Sequence, residues 1–321
     1  MTKTTYLPYF HLDLCADIFA GQFDSNPGKP EKGIDSLRTR FSPGTKNVED
    51  VLTTQHHEER ESLQMFHLGE LYRYRSLIWN LVVRELKARY RGSMLGFMWT
   101  FLNPLLLISV YTVVFSVYLR FNMENYVVHL MSGLLPWLWF SSSLLEASGS
   151  ILAGGNLIKK ILFPAEVLPL VVVITNAINF LFSLPILLVF VMLFKIPVNA
   201  SLLALPLVML IQFIFSVGLA FMFSALCVHY RDIQHLLGNF LTLWFFATPI
   251  IYPLKQIPEK FQFTVHLNPV APLVFAYQDI FYYHRFPSMQ ALMIVAVMAV
   301  ITYTLGSMVF EKYRGSFAEE V

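Results

Sequence analysis

The sequence predicts an all-α membrane protein with six transmembrane helices, an N-terminal amphipathic interface helix and short re-entrant helices on the outer side. Six segments of 19 or more residues contain no Lys, Arg, Asp or Glu. The chain is 56% hydrophobic and 14% charged, whereas a soluble domain has about 25% charged residues. Basic residues are also unevenly distributed among the connections, which predicts how the chain is oriented in the membrane.

The six charge-free segments are each long enough to cross a bilayer. They are Phe97–Leu119, Val127–Leu145, Val167–Phe194, Ala200–Val228, Leu236–Leu254 and Met289–Phe310. A helix rises about 1.5 Å per residue and the hydrocarbon core is about 30 Å thick. Because no water is present there to bond the backbone, each segment is predicted to be helical. A soluble protein would instead have to bury six entirely apolar helices.

Residues 1–69 form a polar tail that precedes the spans. The tail carries 7 basic and 10 acidic residues, and its prolines and turn residues predict a weakly structured cytoplasmic segment. His56 and His57 stand next to acidic residues, but adjacent side chains on such a segment are more typical of solvated residues than of a metal site. Cys15 and Cys227 lie far apart in the sequence, so we predict neither a disulfide framework nor a metal site.

Residues 70–96 are predicted to form the amphipathic interface helix. Helical spacing places Arg73, Arg84, Lys87 and Arg91 on a stripe opposite an apolar face that includes Leu81. Such a helix lies in the membrane interface with its basic side toward phosphates or a soluble partner. The pattern alone fits either a topology anchor or a docking surface for a cytoplasmic protein.

The transmembrane domain, 97–310, is followed by a short C-terminus, 311–321. With six spans, both termini lie on one side, which holds 11 basic residues near the spans against 5 on the other. The positive-inside rule therefore makes the termini cytoplasmic. Residues 1–30 lack a basic start followed by an apolar run, so we expect no signal peptide there.

The spans carry aromatic residues but no acidic residue near the membrane midplane, where ion-coupled pumps usually place one. Glu146 and Glu166 instead flank a cytoplasmic connection. Aromatic residues in membrane helices mostly serve packing or interfacial roles, although their faces also stack on sugar rings. The candidates for a lined glycan passage are Trp99, Tyr111, Tyr118, Trp244, Phe245 and Phe246.

The connections contain three further features. The cytoplasmic loop that begins at Ser150 and ends at Lys160 has room for a short helix parallel to the membrane. Arg231 and Asp232 lie in the next cytoplasmic turn. The outer stretch from Lys255 to Pro287 is interrupted by four prolines, and its apolar part is too short to span, so it predicts re-entrant or interfacial helices.

Five blocks of sequence resemble the permeases of bacterial ABC transporters that export O-antigen, capsule, teichoic acid and related polysaccharides. The first is RELKARYRGSMLGFMW at residues 84–99, followed by Asn103-Pro104-Leu105. The others, in order, are GLLPW at 133–137; NLIKK at 156–160 with Phe163-Pro164; YRD at 230–232 with TPIIYP at 248–253; and Asn268-Pro269. Their order and spacing carry the resemblance.

The resemblance implies a homodimeric permease in the bacterial inner membrane, bound to two copies of a separate ATPase that holds ATP and Mg²⁺. This chain has no G-x-x-x-x-G-K-[ST] phosphate loop, which fits a separate ATPase. The transported molecule would be a lipid-linked glycan, with membrane lipids around the dimer and no nucleic acid involved. The permease itself would have no catalytic site, cofactor or metal.

The resemblance also implies roles for particular residues. The loop that seats in the ATPase would contain Asn156, Leu157, Ile158, Lys159 and Lys160. The interface helix would pack beside it, the first and fifth spans would line the passage, and the outer helices would act as gates. Two departures are the long tail and Gln278, which stands where many relatives have Arg.

Three other functions remain as alternatives at this point. An ABC permease for a drug or a smaller lipid would need a less aromatic passage. A membrane-embedded glycosyl- or acyltransferase would need a polar catalytic cluster, for which Arg231 and Asp232 are the available residues. A structural scaffold would suit the tail but would leave the ordered blocks without a role.

Overall fold

The computed structural model describes residues 74–120, 123–155 and 164–320. All regular elements within these ranges are helical. The helices are α1 (Arg75–Tyr90), α2 (Trp99–Thr112), α3 (Tyr126–Ser148), α4 (Ser150–Ala153), α5 (Val167–Leu193), α6 (Leu205–His229), α7 (Ile233–Ala247), α8 (Glu259–His266), α9 (Ala271–Phe281), α10 (Met289–Arg314) and α11 (Phe317–Glu320). The tail 1–69, Arg73 and the loop 156–160 lie outside the described residues.

Five of the six predicted spans are confirmed as helices long and apolar enough to cross a membrane. The five stretches are Gly96–Tyr118, Tyr126–Ser148, Val167–Leu193, Ala200–His229 and Met289–Arg314. The first joins a short 3-10 turn, α2 and a final wider turn into one continuous stretch, and the fourth adds a 3-10 turn before α6. The chain is therefore a multi-pass membrane protein.

The remaining predicted span, Leu236–Leu254, is not confirmed as a full helical crossing. It contains α7, which has 15 residues and is therefore about 22 Å long at about 1.5 Å per residue. The helix ends because Thr248 adopts an extended conformation (φ −102°, ψ 132°) in front of Pro249. A residue that precedes proline is sterically disfavoured in the helical region.

Helix α3 is the centre of the packed core. In its most apolar 18 residues, 78% are buried, against 11% in the stretch that contains α2. It packs against α5, α6 and α9, and the Gln212 side-chain amide of α6 donates to the Pro136 carbonyl at 2.9 Å. A buried side chain that bonds a backbone carbonyl in this way connects α6 to α3.

The closest contact between two long helices joins α6 and α10 at Gly218 and Gly306. A Cβ atom added to Gly306 would lie 2.0 Å from the Gly218 carbonyl oxygen, and one added to Gly218 would lie 2.5 Å from the Tyr303 nitrogen. Only glycine fits at these positions. Small residues of this kind let membrane helices pack backbone against backbone, where dispersion contacts stabilise them.

Helix α1 packs against protein on its apolar side. Leu81 and Val82 are buried together with Val167 and Val171 of α5. On the described part of the predicted basic stripe, Arg84, Lys87 and Arg91 are exposed, so the amphipathic pattern is present. The apolar face thus contacts the start of the third span. The sequence pattern alone predicted contact with the membrane but not with this span.

The segment between α7 and α10 contains two short helices, as the prolines predicted. Helix α9 has 11 residues, too few to cross a bilayer, and it packs on α3 and α6. Gly133 of α3 makes room for it, because an added Cβ atom there would lie 3.1 Å from the Gln278 amide nitrogen. Helix α8 instead exposes Phe261 and Phe263.

Candidate functional site

A groove of about 290 Å³ lies between α2, α3 and α7, and its walls combine aromatic and leucine side chains. The aromatic lining residues are Tyr111, Trp137, Phe245 and Phe246. The Tyr111 and Phe245 rings stack with centroids 5.9 Å apart, and the Trp137 ring lies 5.7 Å from that of Phe245. The first and fifth predicted spans therefore face a common groove whose floor is the second span.

The six predicted passage residues divide between this groove and other places. Tyr111, Phe245 and Phe246 line it together. Tyr118 is exposed at the end of the first span, and Trp99 lines a different cleft. Sequence reasoning did not assign Trp137 to the passage. Trp137 belongs to the GLLPW block, but the sequence does not show which side of α3 faces α7. That side determines which residues of α3 line the groove.

Trp244 faces away from the groove and holds the chain after α7 in place. Its indole N–H donates to the Asn268 Oδ1 atom at 2.8 Å, and the same oxygen accepts from the Val270 backbone N–H at 3.0 Å. The Asn268 amide donates to Thr248 Oγ1 at 2.8 Å. The residues of the Thr248-Pro249 and Asn268-Pro269 blocks are therefore joined by one buried polar network.

Gln278 and Asp279 of α9 are both buried and bonded. The Gln278 side-chain amide donates to the Pro249 carbonyl at 3.1 Å. The side chain that stands in place of the Arg expected from the resemblance therefore points into the protein. The Asp279 carboxylate accepts from Arg285 Nε at 2.8 Å. Burial raises the pKa of the Asp279 carboxyl, and the hydrogen bond and charge of Arg285 act in the opposite direction.

A second and larger space, a cleft of about 520 Å³, lies between α2, α3 and α5. Its walls combine polar side chains with two tryptophans: Arg89, Ser93, Thr100, Asn103, Ser142, Asn176, Asn179, Ser183, Trp99 and Trp139. The Trp99 indole N–H donates to Ser93 Oγ at 2.9 Å. Leu107, Leu138 and Ser142 line both spaces, so the cleft adjoins the groove.

A polar network at one edge of the cleft connects α1 with α3 and α5. Arg89 Nη2 lies 2.6 Å from the Glu146 carboxylate, and Arg89 Nη1 donates to Asn176 Oδ1 at 3.2 Å. The Asn176 amide donates to the same Glu146 oxygen at 2.8 Å. Sequence reasoning missed this network, although Asn176 in the middle of an apolar span was the available signal.

Arg231 and Asp232 lie in the turn between α6 and α7, and both side chains are exposed. The end of α10 packs beside it, because the Tyr313 ring lies 4.6 Å from that of His229. Arg314 Nη1 lies 3.1 Å from the Glu166 carboxylate at the start of α5. The predicted ATPase-coupling residues 156–160 precede Glu166 in the sequence and lie outside the described residues.

Comparison with known proteins identifies relatives over most of the chain. The family described as ABC-2 type transporter matches residues 76–282. An O-antigen export system permease protein, RfbA, from Myxococcus xanthus is 45% identical over 254 residues, which are 78% of this chain and 98% of the relative. A protein of the same name from Klebsiella pneumoniae is 33% identical over 79% of this chain and 97% of its own length. The polysialic acid transport protein KpsM of Escherichia coli is 26% identical over 60% of this chain and 76% of its own length.

Proposed function

Because the chain belongs to the ABC-2 type transporter family of membrane proteins, we propose that it is the permease subunit of an exporter for a lipid-linked, O-antigen-like polysaccharide. The observation that carries this proposal is the 45% identity to an O-antigen export permease across 98% of that relative. The aromatic groove between α2 and α7 supports it, because flat aromatic faces suit a chain of sugar rings. Family membership makes this chain a transport subunit rather than a catalytic one.

We also propose that the chain crosses the membrane six times, with α7 completed by the irregular segment that follows it. Residues 248–253 follow α7 directly and form turns and bends rather than helix. Irregular backbone is tolerated at membrane depth where it is buried in protein. Thr248, Ile250 and Ile251 are buried, and Asn268 and Gln278 bond this segment. Six crossings place both termini in the cytoplasm, as the basic residues suggest.

In the proposed assembly, two copies of this chain join in the bacterial inner membrane and bind two copies of a separate ATPase, which holds ATP and Mg²⁺. Residues 156–160 seat in the ATPase and α1 packs beside them. ATP binding closes the ATPases, the seated loops move, and a passage opens between the two permeases. The helices of the segment between α7 and α10 act as the outer gate. The glycan then moves outward along the aromatic side chains.

The test of this function is to purify the chain with its ATPase in lipid nanodiscs and measure ATP hydrolysis as lipid-linked glycan is added. We expect a stable complex whose hydrolysis rate rises with glycan. A hydrolysis rate that does not change when glycan is added would indicate that the substrate is a smaller lipid or a drug instead. Failure to form any complex with the ATPase would contradict the transporter assignment and favour a membrane-embedded enzyme.

The seating role of residues 156–160 gives a separate prediction. Lys159→Glu reverses a charge in the loop and should weaken ATPase docking, so less ATPase should co-purify and export should fall. Lys255→Glu makes the same change in the connection after α7, on the proposed outer side, and should leave co-purification at the wild-type level. Equal ATPase recovery with both variants would exclude this loop as the docking site.

A further inference from the structure

The cleft between α2, α3 and α5 contains buried polar atoms that nothing in the described chain satisfies. Trp139 has 3% of its surface exposed, and its indole N–H has no acceptor among the described residues. The Asn179 Oδ1 atom is also buried and has no donor among them. Both residues line the cleft. Unpaired buried polar atoms are uncommon in folded proteins and require a specific explanation.

One missing donor and one missing acceptor in the same cleft match the chemistry of a hydroxyl group. A hydroxyl both donates and accepts hydrogen bonds, so a molecule with several hydroxyls could satisfy Trp139 and Asn179 together. The volume of about 520 Å³ lies within the range of about 300–1,000 Å³ that is usual for small-molecule sites. Asn103 and Ser142 supply further polar groups around the same space.

The charge balance of the cleft favours a neutral ligand over an anion. Among the described residues that line it, Arg89 is the only charged one, and its guanidinium already pairs with Glu146 at 2.6 Å. An anion would have to compete with this carboxylate. Amides, hydroxyls and the Trp139 indole N–H instead present bonding groups, and the ring of Trp99 adds an apolar face, which together suit a sugar.

We infer that this cleft binds one neutral sugar unit of the lipid-linked glycan, with Trp139 donating to a sugar hydroxyl and Asn179 accepting from one. This inference rests on the proposed function and adds a recognition site beside the aromatic groove. The cleft reaches Ser93, two residues after Arg91 of the basic stripe, so the carrier phosphate can remain near basic residues while the first sugar enters. Because Leu107, Leu138 and Ser142 also line the groove, later sugars can continue along it.

The experiment measures affinity for two probes in nanodiscs that hold the complete complex with its ATPase. One probe is a polyprenyl diphosphate that carries a single N-acetylhexosamine, and the other is the same polyprenyl diphosphate without the sugar. The wild type should bind the sugar-bearing probe about tenfold more tightly, which corresponds to one or two added hydrogen bonds. Trp139→Phe keeps an aromatic side chain but removes the N–H together with part of the indole, and Asn179→Leu removes the acceptor.

Each variant should reduce the preference for the sugar-bearing probe about fivefold, the effect of one lost hydrogen bond, without changing affinity for the bare carrier. Trp139→Phe should lower the melting temperature, because Trp139 is buried and stacks on Phe180 with ring centroids 5.2 Å apart, and a smaller ring there leaves a cavity. The ratio of the two affinities, which a loss of packing alone does not change, therefore reports the lost N–H. Trp79→Phe removes an indole from the exposed side of α1 and should keep the full preference.

The other outcomes separate this inference from the proposed function. A wild-type preference that both variants retain would overturn the cleft assignment and leave the transporter role intact. Equal binding of the two probes, lowered for both by Arg89→Ala, would show that the site recognises phosphate and overturn the sugar assignment. If the wild type binds neither probe, the proposed function fails together with the inference.

Discussion

The contact between α6 and α10 is closely packed, whereas the groove between α2 and α7 is open. At Gly218 and Gly306, two backbones approach so closely that a single added methyl group would overlap a carbonyl oxygen. Around the groove, the stretch that contains α2 has only 11% of its most apolar residues buried, and the aromatic rings border an open space of about 290 Å³.

The difference indicates which part of the molecule is fixed and which part has freedom to move. A helix pair in backbone contact has one packing arrangement, because close-packed surfaces do not deform continuously. Helix α2 makes few such contacts within the chain and leaves an apolar surface exposed. That surface needs lipid or a second copy of the chain to cover it, which agrees with a passage formed by two permeases.

The largest expected effect is at the rigid contact. Gly306→Ala adds a methyl group 2.0 Å from the Gly218 carbonyl oxygen, and a backbone neighbour cannot rotate away as a side chain would. We expect a loss of at least about 3 kcal/mol, the upper part of the range for overpacked cores, measured as thermal unfolding in detergent. Gly315→Ala, where nothing lies within 4 Å of the added atom, should melt as the wild type does. A Gly306→Ala protein that melts at or above the wild-type temperature would contradict the close contact.

This contact also marks a limit of sequence reasoning. The apolar segments predicted five spans to within a few residues at each end, because hydrophobicity over about 20 residues is a strong signal. A glycine in an apolar span indicates a possible close approach, but not which helix approaches. The pairing of Gly218 with Gly306 depends on how α6 and α10 face each other, and one sequence carries no information on that.

The candidate site was predicted in part for the same reason. Of the six aromatic residues selected from the sequence, Tyr111, Phe245 and Phe246 line one groove, whereas Trp99 lies in the second cleft and Trp244 bonds Asn268. Aromatic residues look alike in a sequence, and the direction of each ring is set by tertiary packing. The bonds of Asn268 and Gln278 to residues about 20 to 30 positions away likewise depend on the fold.

An intermediate effect on stability is expected at the hydrogen-bond network that connects α7 to the segment after it. Asn268→Ala leaves the Trp244 indole N–H and the Val270 N–H without their acceptor. Unsatisfied buried donors cost about 1–3 kcal/mol each and do not add fully, so we expect a loss of about 2 kcal/mol. Thermal unfolding measures it, and Asn239→Ala, an exposed amide on α7, serves as the control. Equal melting of the two variants would show that the network does not fasten α7.

The smallest effect on stability is expected inside the groove, and there the effect on transport should be largest. Phe246 lines the groove with 53% of its surface exposed, and its ring meets Phe245 edge to face at 5.2 Å. Phe246→Ala should cost less than about 1 kcal/mol of stability, the size of one aromatic pair, yet lower glycan export several-fold. Phe240→Ala removes an equally exposed ring (51%) from the same helix at a position that does not line the groove, and it should leave export unchanged. The measurement is glycan export in a strain that lacks the chromosomal permease and carries one variant at a time. If both variants export normally, the groove rings do not contact the glycan. If both reduce export equally, exposed aromatic residues act through the lipid rather than through the passage. Only a loss confined to Phe246 makes the groove the path of the glycan.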